Sequence, residues 1–330
     1  MGELAKIIGK HNKKLKGSIV KLSDCPFKKT PRVSTGSFAL DMATGGGFTY
    51  GSTIELYGEE STGKSLIGLT TIVEAQKQGK ECVYIDLEGT LEEAWATKVG
   101  VDPKKLWIMR PKTAEDALDT LMDLVSSGEV GVIVIDSVAA MCPMVETENS
   151  LEDQQMGVHA RLMSKTLRNL TSTLQPKEID NKDEYNPCVV IFINQTRLKI
   201  GVLYGNPLTT PGGKALKFYS SVRVHLKPGE IYKDSKEGII GRELKFHITK
   251  NKTYKPFQVG ALSFYFDGHI DNEESVIQYA IVYDLIKQAG PYYSYGNEKF
   301  QGKKKLIAYL KTQPKVLKQL KKDILAIAGK

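Results

Sequence analysis

Cysteine, tryptophan and long apolar runs are all scarce in this chain, and each shortage excludes something. The four cysteines, Cys25, Cys82, Cys142 and Cys188, form no C-x-x-C pair. That spacing argues against a thiolate zinc site and against a disulfide framework. All four are expected to be reduced, with Cys82 and Cys188, which adjoin apolar strand-like runs, buried. No apolar run reaches the length that spans a bilayer, and the opening Met1-Gly2-Glu3-Leu4-Ala5-Lys6 lacks the apolar stretch of a signal peptide. The expectation is a soluble, cytoplasmic protein with no membrane partner. The last residues, Ala328-Gly329-Lys330, carry no acidic tail.

Against these shortages stands enough apolar residue for a real core. Of 330 residues, 41% are hydrophobic and 25% charged, which excludes global disorder. That length suits one large core with small appendages. The formal net charge is +8. Such an excess serves solubility as readily as binding, but it makes nucleic acid a partner to test.

The chain opens with a basic amphipathic segment over 3–16, in which Leu4, Ile7, Ile8, His11 and Leu15 share a face. A short strand is expected over Ser18–Leu22, then a turn-rich loop to Pro31. Such an arm packs either on its own core or on a neighbour's. From Thr35 to about Asp267, apolar strands (Thr53–Tyr57, Glu81–Asp86, Val130–Asp136, Cys188–Asn194, Ser221–Leu226) alternate with helices such as Thr113–Ser127 and Val158–Leu174. Strands apolar throughout are buried on both faces, which predicts an α/β fold with a mostly parallel sheet between helices. Glu243–Thr249 and Ala261–Phe266 suggest a hairpin added at one edge. Residues 176–187, bounded by prolines, read as a surface excursion. Beyond 269, Val276–Gln288 and Val316–Ala328 look helical, with Leu317, Leu320, Ile324 and Ile327 on one stripe. Lys303, Lys304, Lys305, Lys315, Lys318, Lys321 and Lys322 make this small domain basic, either as a nucleic-acid face or as a solvated one.

The chemistry concentrates at Gly58-Glu59-Glu60-Ser61-Thr62-Gly63-Lys64-Ser65, a complete G-x-x-x-x-G-K-[ST] pattern between a strand and a helix. The glycines let successive amides turn toward anionic oxygens, and the following helix adds its N-terminal dipole. Lys64 is suited to the β/γ-phosphates of ATP and Ser65 to Mg²⁺. Asp136 closes the strand Val132-Ile133-Val134-Ile135, where an acid orients Mg²⁺ or its water. Glu88 follows the strand ending at Asp86. It is either a general base for attacking water or an exposed loop acid. Trp95 is one of two tryptophans, set to stack on a base or to fill the core. Gln195, at the tip of Val189–Asn194, offers an amide to a γ-phosphate.

Two loops suit a nucleic-acid backbone. Residues 196–213 are long and glycine-rich, with Arg197 and Lys199 for phosphates, amides at Gly212 and Gly213, and apolar Ile200 and Tyr204 to wedge between bases. Residues 146–157 end in Met156-Gly157 and lead into a helix carrying Arg161, Ser164 and Arg168. A loop joined to Gln195 at one end and to DNA at the other would couple nucleotide state to binding.

These stretches resemble the bacterial-type RecA recombinases across nearly the whole chain. The likeness rests on Tyr57–Lys64, Tyr84-Ile85-Asp86-Leu87-Glu88, Val134–Ala140, Phe192-Ile193-Asn194-Gln195, Lys199–Val202, Gly205-Asn206-Pro207, Gly212-Gly213, Ala215–Tyr219 and Lys250-Asn251-Lys252, in order and at similar spacing. The resemblance implies a RecA-like P-loop core over 31–268, an oligomerisation arm over 1–30 and a basic C-terminal α/β domain over 269–330. It implies an ATPase that forms head-to-tail helical filaments on single-stranded DNA and pairs it with homologous duplex. The implied nucleotide set is Gly58, Glu60, Ser61, Thr62, Gly63, Lys64, Ser65, Glu92, Trp95 and Asp136, with Ser65 and Asp136 toward Mg²⁺. Lys64, Glu88 and Gln195 are the implied catalytic groups, with Lys250 and Lys252 reaching a neighbour's ATP. The implied DNA set adds Gly201 to the loop and helix residues already named. The arm would pack on the adjacent protomer, its strand extending that protomer's sheet. Three residues depart from the family pattern: Glu59 for proline, Ser65 for threonine, Tyr204 for phenylalanine. The tail-less end is compatible with a phage-encoded member, and is expected to load on duplex DNA with less restraint and more salt sensitivity.

Overall fold

The structure, a computed structural model, describes residues 2–14, 19–21, 31–144, 157–175, 186–198 and 208–328. Helix α1 (Glu3–Lys14) is followed by strand β1 (Arg32–Val33), helix α2 (Phe38–Thr44) and strand β2 (Phe48–Thr49). The core continues through β3 (Ser52–Gly58), α3 (Lys64–Lys77), β4 (Glu81–Asp86), α4 (Glu93–Val99) and β5 (Leu106–Met109). Next come α5 (Ala114–Ser127), β6 (Val130–Asp136), α6 (Val158–Leu174) and β7 (Val189–Gln195). The short pair β8 (Arg197–Leu198) and β9 (Leu208–Thr209) precedes α7 (Ala215–Tyr219) and the strands β10 (Val222–Asp234), β11 (Gly238–Asn251) and β12 (Val259–Tyr265). The C-terminal part comprises α8 (Asn272–Val282), β13 (Lys287–Ala289), β14 (Tyr292–Tyr295), β15 (Glu298–Gln301), α9 (Lys303–Lys311) and α10 (Pro314–Ile327).

One eight-stranded sheet organises the core in the order β12-β11-β10-β3-β7-β6-β4-β5. From β10 to β5 every pairing is parallel, and β11 and β12 close the other edge antiparallel. The central strands β3 and β6 are buried at every position; β6 is accordingly free of polar residues up to Asp136, whereas β3 carries Ser52, Thr53 and Glu55 inside the fold. Alternate side chains feed two cores. Ile54, Leu56, Tyr84, Val134 and Ile191 meet α3, and Ile85, Ile133, Val190 and Phe192 meet α5 and α6. Helix α5 starts where the Thr113 hydroxyl accepts from the Asp116 amide, and ends at Gly128 in the left-handed conformation.

The central strands and the helices α5 and α6 lie within a residue or two of their sequence expectation. The expected edge hairpin is β11 with β12, and it joins the parallel sheet through β10, which runs on past Leu226 to Asp234. Two expectations need correction. The C-terminal part is the α/β domain that the resemblance implied, but the helix read there is too long. The expected helix Val276–Gln288 stops at Val282, Lys287–Ala289 is a strand, and the tyrosine-rich β14 sits between β13 and β15 in a small antiparallel sheet. Leu317, Leu320 and Ile324 are buried as the stripe required, joining Phe38 and Met42 of α2 in a third cluster, but Ile327 is exposed. Finally, Ile19–Lys21, the described part of the expected strand Ser18–Leu22, forms no strand. Ile19 is instead tied by two bonds to the Asn12 side chain. Cys82, Cys142 and Cys188 are free thiols, two of them buried; Cys25 lies outside the described residues.

Candidate functional site

The Gly58–Ser65 loop leaves the tip of β3 and enters α3 directly at Lys64. Gly63 makes that entry at φ +80°, a conformation that favours glycine, and a Cβ there would press on the Leu244 side chain. The Lys64 ammonium is buried and lies inside the loop, donating to the carbonyls of Glu59 at 2.5 Å and Gly58 at 3.3 Å. Burial pulls it below the ordinary lysine value, against the opposing pull of Asp136, Glu88 and Glu60.

Parallel register brings the other candidates to the same sheet end. Gly58 is paired with Gln195 on one side and with Leu226 on the other, and Asp86 with Asp136. Ser65 Oγ donates to Asp136 Oδ2 at 2.6 Å, and Tyr84 Oη donates to the same oxygen at 2.6 Å. Burial raises the Asp136 carboxyl above the usual range, while those two hydroxyls favour the ionised form. Glu88 is exposed at the next tip, its Oε1 accepting from Ser137 Oγ. Gln195, half-buried, borders a hollow shared with Glu59, Glu60 and Thr196. Asp86 takes no part: it accepts three backbone amides and Arg110 Nε, and so fixes the turn that carries Glu88.

Beside the loop opens a cleft of about 390 Å³, lined by residues 61–66 and by Trp95, Arg242, Leu244, Phe264 and Phe266. Trp95 lies between the core and the cleft. It sits edge-on to Phe264, 6.1 Å between ring centroids, against the core, while also facing the cleft. Glu92 is exposed at the N-terminus of α4 and does not line this cleft. Sequence reasoning missed Arg242, whose Nη1 donates to the Ser61 carbonyl at 3.2 Å. Only the pairing of β11 into the sheet brings it here.

The described parts of the two loops converge elsewhere. Arg161 and Arg168 are exposed on α6, and Ser164 Oγ donates to the Ala160 carbonyl of its own helix. Gly213 abuts that helix so closely that a Cβ would lie 2.9 Å from Ala160 Cβ, and Gly212 lies against Val138. Arg197 starts a two-residue strand paired with Leu208–Thr209. Met156, Lys199, Ile200, Gly201 and Tyr204 lie outside the described residues. A larger cleft of about 600 Å³ includes Lys214, Lys217, Arg223, His225, Lys227 and His247, a basic wall that sequence reasoning also missed. Its signal was the alternation of Arg223, His225 and Lys227 along one strand.

Lys250 and Lys252 are not brought to the P-loop of their own chain. Lys250 pairs with Arg223, and Arg223 with Glu55, so it lies two strands away and level with the middle of β3. Its ammonium donates to the Lys217 and Phe218 carbonyls at 2.9 and 2.7 Å. Burial, Lys252 and Arg223 push it down to about 8.

The RecA N-terminal domain family model matches residues 3–271, and the RecA C-terminal domain model matches 274–329. Among curated relatives, Protein RecA of Wolbachia sp. subsp. Drosophila simulans (strain wRi) is 43% identical over 311 residues, covering 94% of this chain and 85% of the relative. That of Mannheimia haemolytica is 43% identical over 94% of this chain and 82% of its own. Protein RecA of Thermus aquaticus is 41% identical over 96% of this chain and 91% of its own length. With a nucleotide loop, an acid-tipped parallel sheet and a match running from residue 3 to residue 329, the chain belongs to the RecA family of ATP-dependent DNA recombinases, which are DNA-dependent ATPases.

Proposed function

We propose that this chain polymerises on single-stranded DNA, pairs it with homologous duplex, and hydrolyses ATP with the groups gathered at the tips of β3, β4, β6 and β7. The observation that carries the reading is Ser65 Oγ bonded to Asp136 Oδ2 at 2.6 Å at the mouth of the phosphate loop. A hydroxyl and a carboxylate side by side are hard oxygen donors of the kind Mg²⁺ takes alongside phosphate oxygens and water, so the residues fit that ion. When bound, it would offset phosphate charge. Lys64 binds the β/γ-phosphates, Glu88 accepts the proton of the attacking water, and Gln195 reads the γ-phosphate beside Gly58. Glu60, Ser61, Thr62, Trp95 and Glu92 belong to the same nucleotide set. The test is ATP turnover with and without single-stranded DNA: turnover indifferent to DNA, in a protein that still binds DNA, would sink the reading.

Lys250 and Lys252 act on the ATP of a neighbouring protomer. In one chain the Lys250 charge sits among other cations, so an anion supplied from outside stabilises it. Below about pH 8 the side chain is charged, and above it the charge is lost. The neighbour's phosphates raise that value, so turnover in the filament is expected to fall only at a pH above about 8, and Lys250→Arg to carry that limb further upward, since arginine stays charged. A pH–rate profile unchanged by Lys250→Arg would count against the role.

Assembly rests on residues 1–30, with 31–268 as the ATPase core and 269–330 as a basic auxiliary domain, in the cytoplasm. Helix α1 buries no residue within one chain, and Leu4 and Ile7 are 70% and 49% exposed. Covering them on a neighbour would supply a hydrophobic contact. Ile7→Asp is expected to yield short or no filaments by electron microscopy while ATP binding persists. Full-length filaments from this variant would refute the arm's role.

DNA phosphates would meet Arg161, Ser164 and Arg168 on α6, the Met156-Gly157 entry, Arg197, Lys199, Gly201, Gly212 and Gly213, and the basic wall around Arg223, while Ile200 and Tyr204 wedge between bases. Such contacts read backbone, not sequence.

A further inference from the structure

We infer that Arg242 is a nucleotide-binding residue, gripping the ribose and α-phosphate end of the bound nucleotide where the P-loop meets the aromatic wall of the cleft. The inference rests on reading that cleft as the nucleotide site. Its lining divides by chemistry. Ser61, Gly63, Lys64 and Ser65 offer the polar end, suited to phosphates; Trp95, Leu244, Phe264 and Phe266 offer an apolar end, suited to a base. Arg242 bridges the two, because its Nη1 donates to the carbonyl of Ser61 in the loop while the side chain rises from β11 next to Leu244.

A guanidinium carries five N–H donors and no acceptor. One is spent on Ser61, and Nε is buried without a hydrogen-bond partner among the described residues. Buried donors are normally paired, and an unpaired one in a ligand cleft calls for an acceptor from outside. Ribose hydroxyls and an α-phosphate are acceptors of the right kind, and a planar fork of donors suits phosphate geometry. Ser61 holds the guanidinium from the loop side, so the arginine is oriented before the nucleotide arrives.

Isothermal titration calorimetry on the full chain tests this, with Mg-ADP and Mg-tripolyphosphate as ligands and Arg242→Met, Arg242→Lys and Lys64→Ala as variants. Arg242→Met is expected to weaken Mg-ADP binding about 10- to 100-fold, with Arg242→Lys in between. Tripolyphosphate has no ribose or base, and its affinity should hold in Arg242→Met but fall in Lys64→Ala. Nucleotide-free melting of Arg242→Met should stay within about 2 °C of the parent, because the protein bond it removes, Nη1 to the Ser61 carbonyl, is exposed and Nε made none. A larger fall would mean a structural role and overturn the inference. Unchanged ADP affinity in Arg242→Met, with affinity lost in Lys64→Ala, would overturn Arg242 alone. Unchanged affinity in both would overturn the reading of the cleft itself. Equal losses of ADP and tripolyphosphate in Arg242→Met would overturn the placement at the ribose end.

Discussion

Replacing Glu88 with glutamine is expected to lower ATP turnover on single-stranded DNA by about 10²- to 10⁴-fold, the usual contribution of a positioned general base. Glutamine has nearly the size and shape of glutamate and keeps an Oε1 acceptor for the Ser137 hydroxyl. The backbone at this corner is held independently, since Leu87 and Glu88 amides both donate to the Asp136 carbonyl. Glu88→Gln therefore removes the proton acceptor and little else. Nucleotide affinity and DNA affinity should stay within a fewfold of the parent. Ser137→Ala is the companion test: it frees the Glu88 carboxylate without removing it, and should cost far less. Turnover within threefold of the parent in Glu88→Gln would leave Glu88 as the exposed loop acid of the bland reading. Loss of ATP binding would make it a binding group instead.

What the sequence made legible was whatever local pattern determines. The strand–loop–helix around Lys64 and the acid tips at Asp86 and Asp136 lay in contiguous segments, and their convergence follows from parallel strands ending at one sheet edge. Arg242 was invisible because its place depends on β11 pairing across β10, an arrangement that no residue near Arg242 encodes. The strand β5 went unread for another reason. It is four residues long, and Trp107 and Ile108 within it are largely exposed, so it shows no buried period. The small C-terminal sheet was hidden by tyrosines at 292, 293 and 295, which suit strands and helix surfaces alike, and by a helix that stops without glycine or proline at its end.

The second large effect should come from a carboxylate that no motif singles out. Glu55 lies in the middle of β3, fully buried, and accepts from Arg223 Nε of β10 at 2.5 Å. Its other oxygen accepts from Asn194 Nδ2 at 3.2 Å, and the same amide nitrogen reaches the carbonyl of Pro211 at 3.1 Å. One acid thus joins the phosphate-loop strand, the strand that ends in Gln195, the end of the 196–213 loop, and the arginine beside Lys250. Glu55→Gln leaves the Arg223 charge buried without its counter-ion, and removing one partner of a buried pair costs about 3–5 kcal/mol. A fall in melting temperature on the order of 10 °C is expected. The double substitution Glu55→Gln, Arg223→Met should recover most of it, because no unpaired charge then remains; a cycle of the two single variants and the double measures the coupling. Stability alone would make this a structural pair. Its link to function is read separately, at a temperature where all variants stay folded. Glutamine puts an NH₂ where one carboxylate oxygen stood, so it cannot accept at both the Arg223 and the Asn194 positions; with that chain of bonds broken, the stimulation of ATP turnover by single-stranded DNA should fall more than turnover without DNA. Equal losses in both would confine Glu55 to holding the sheet together.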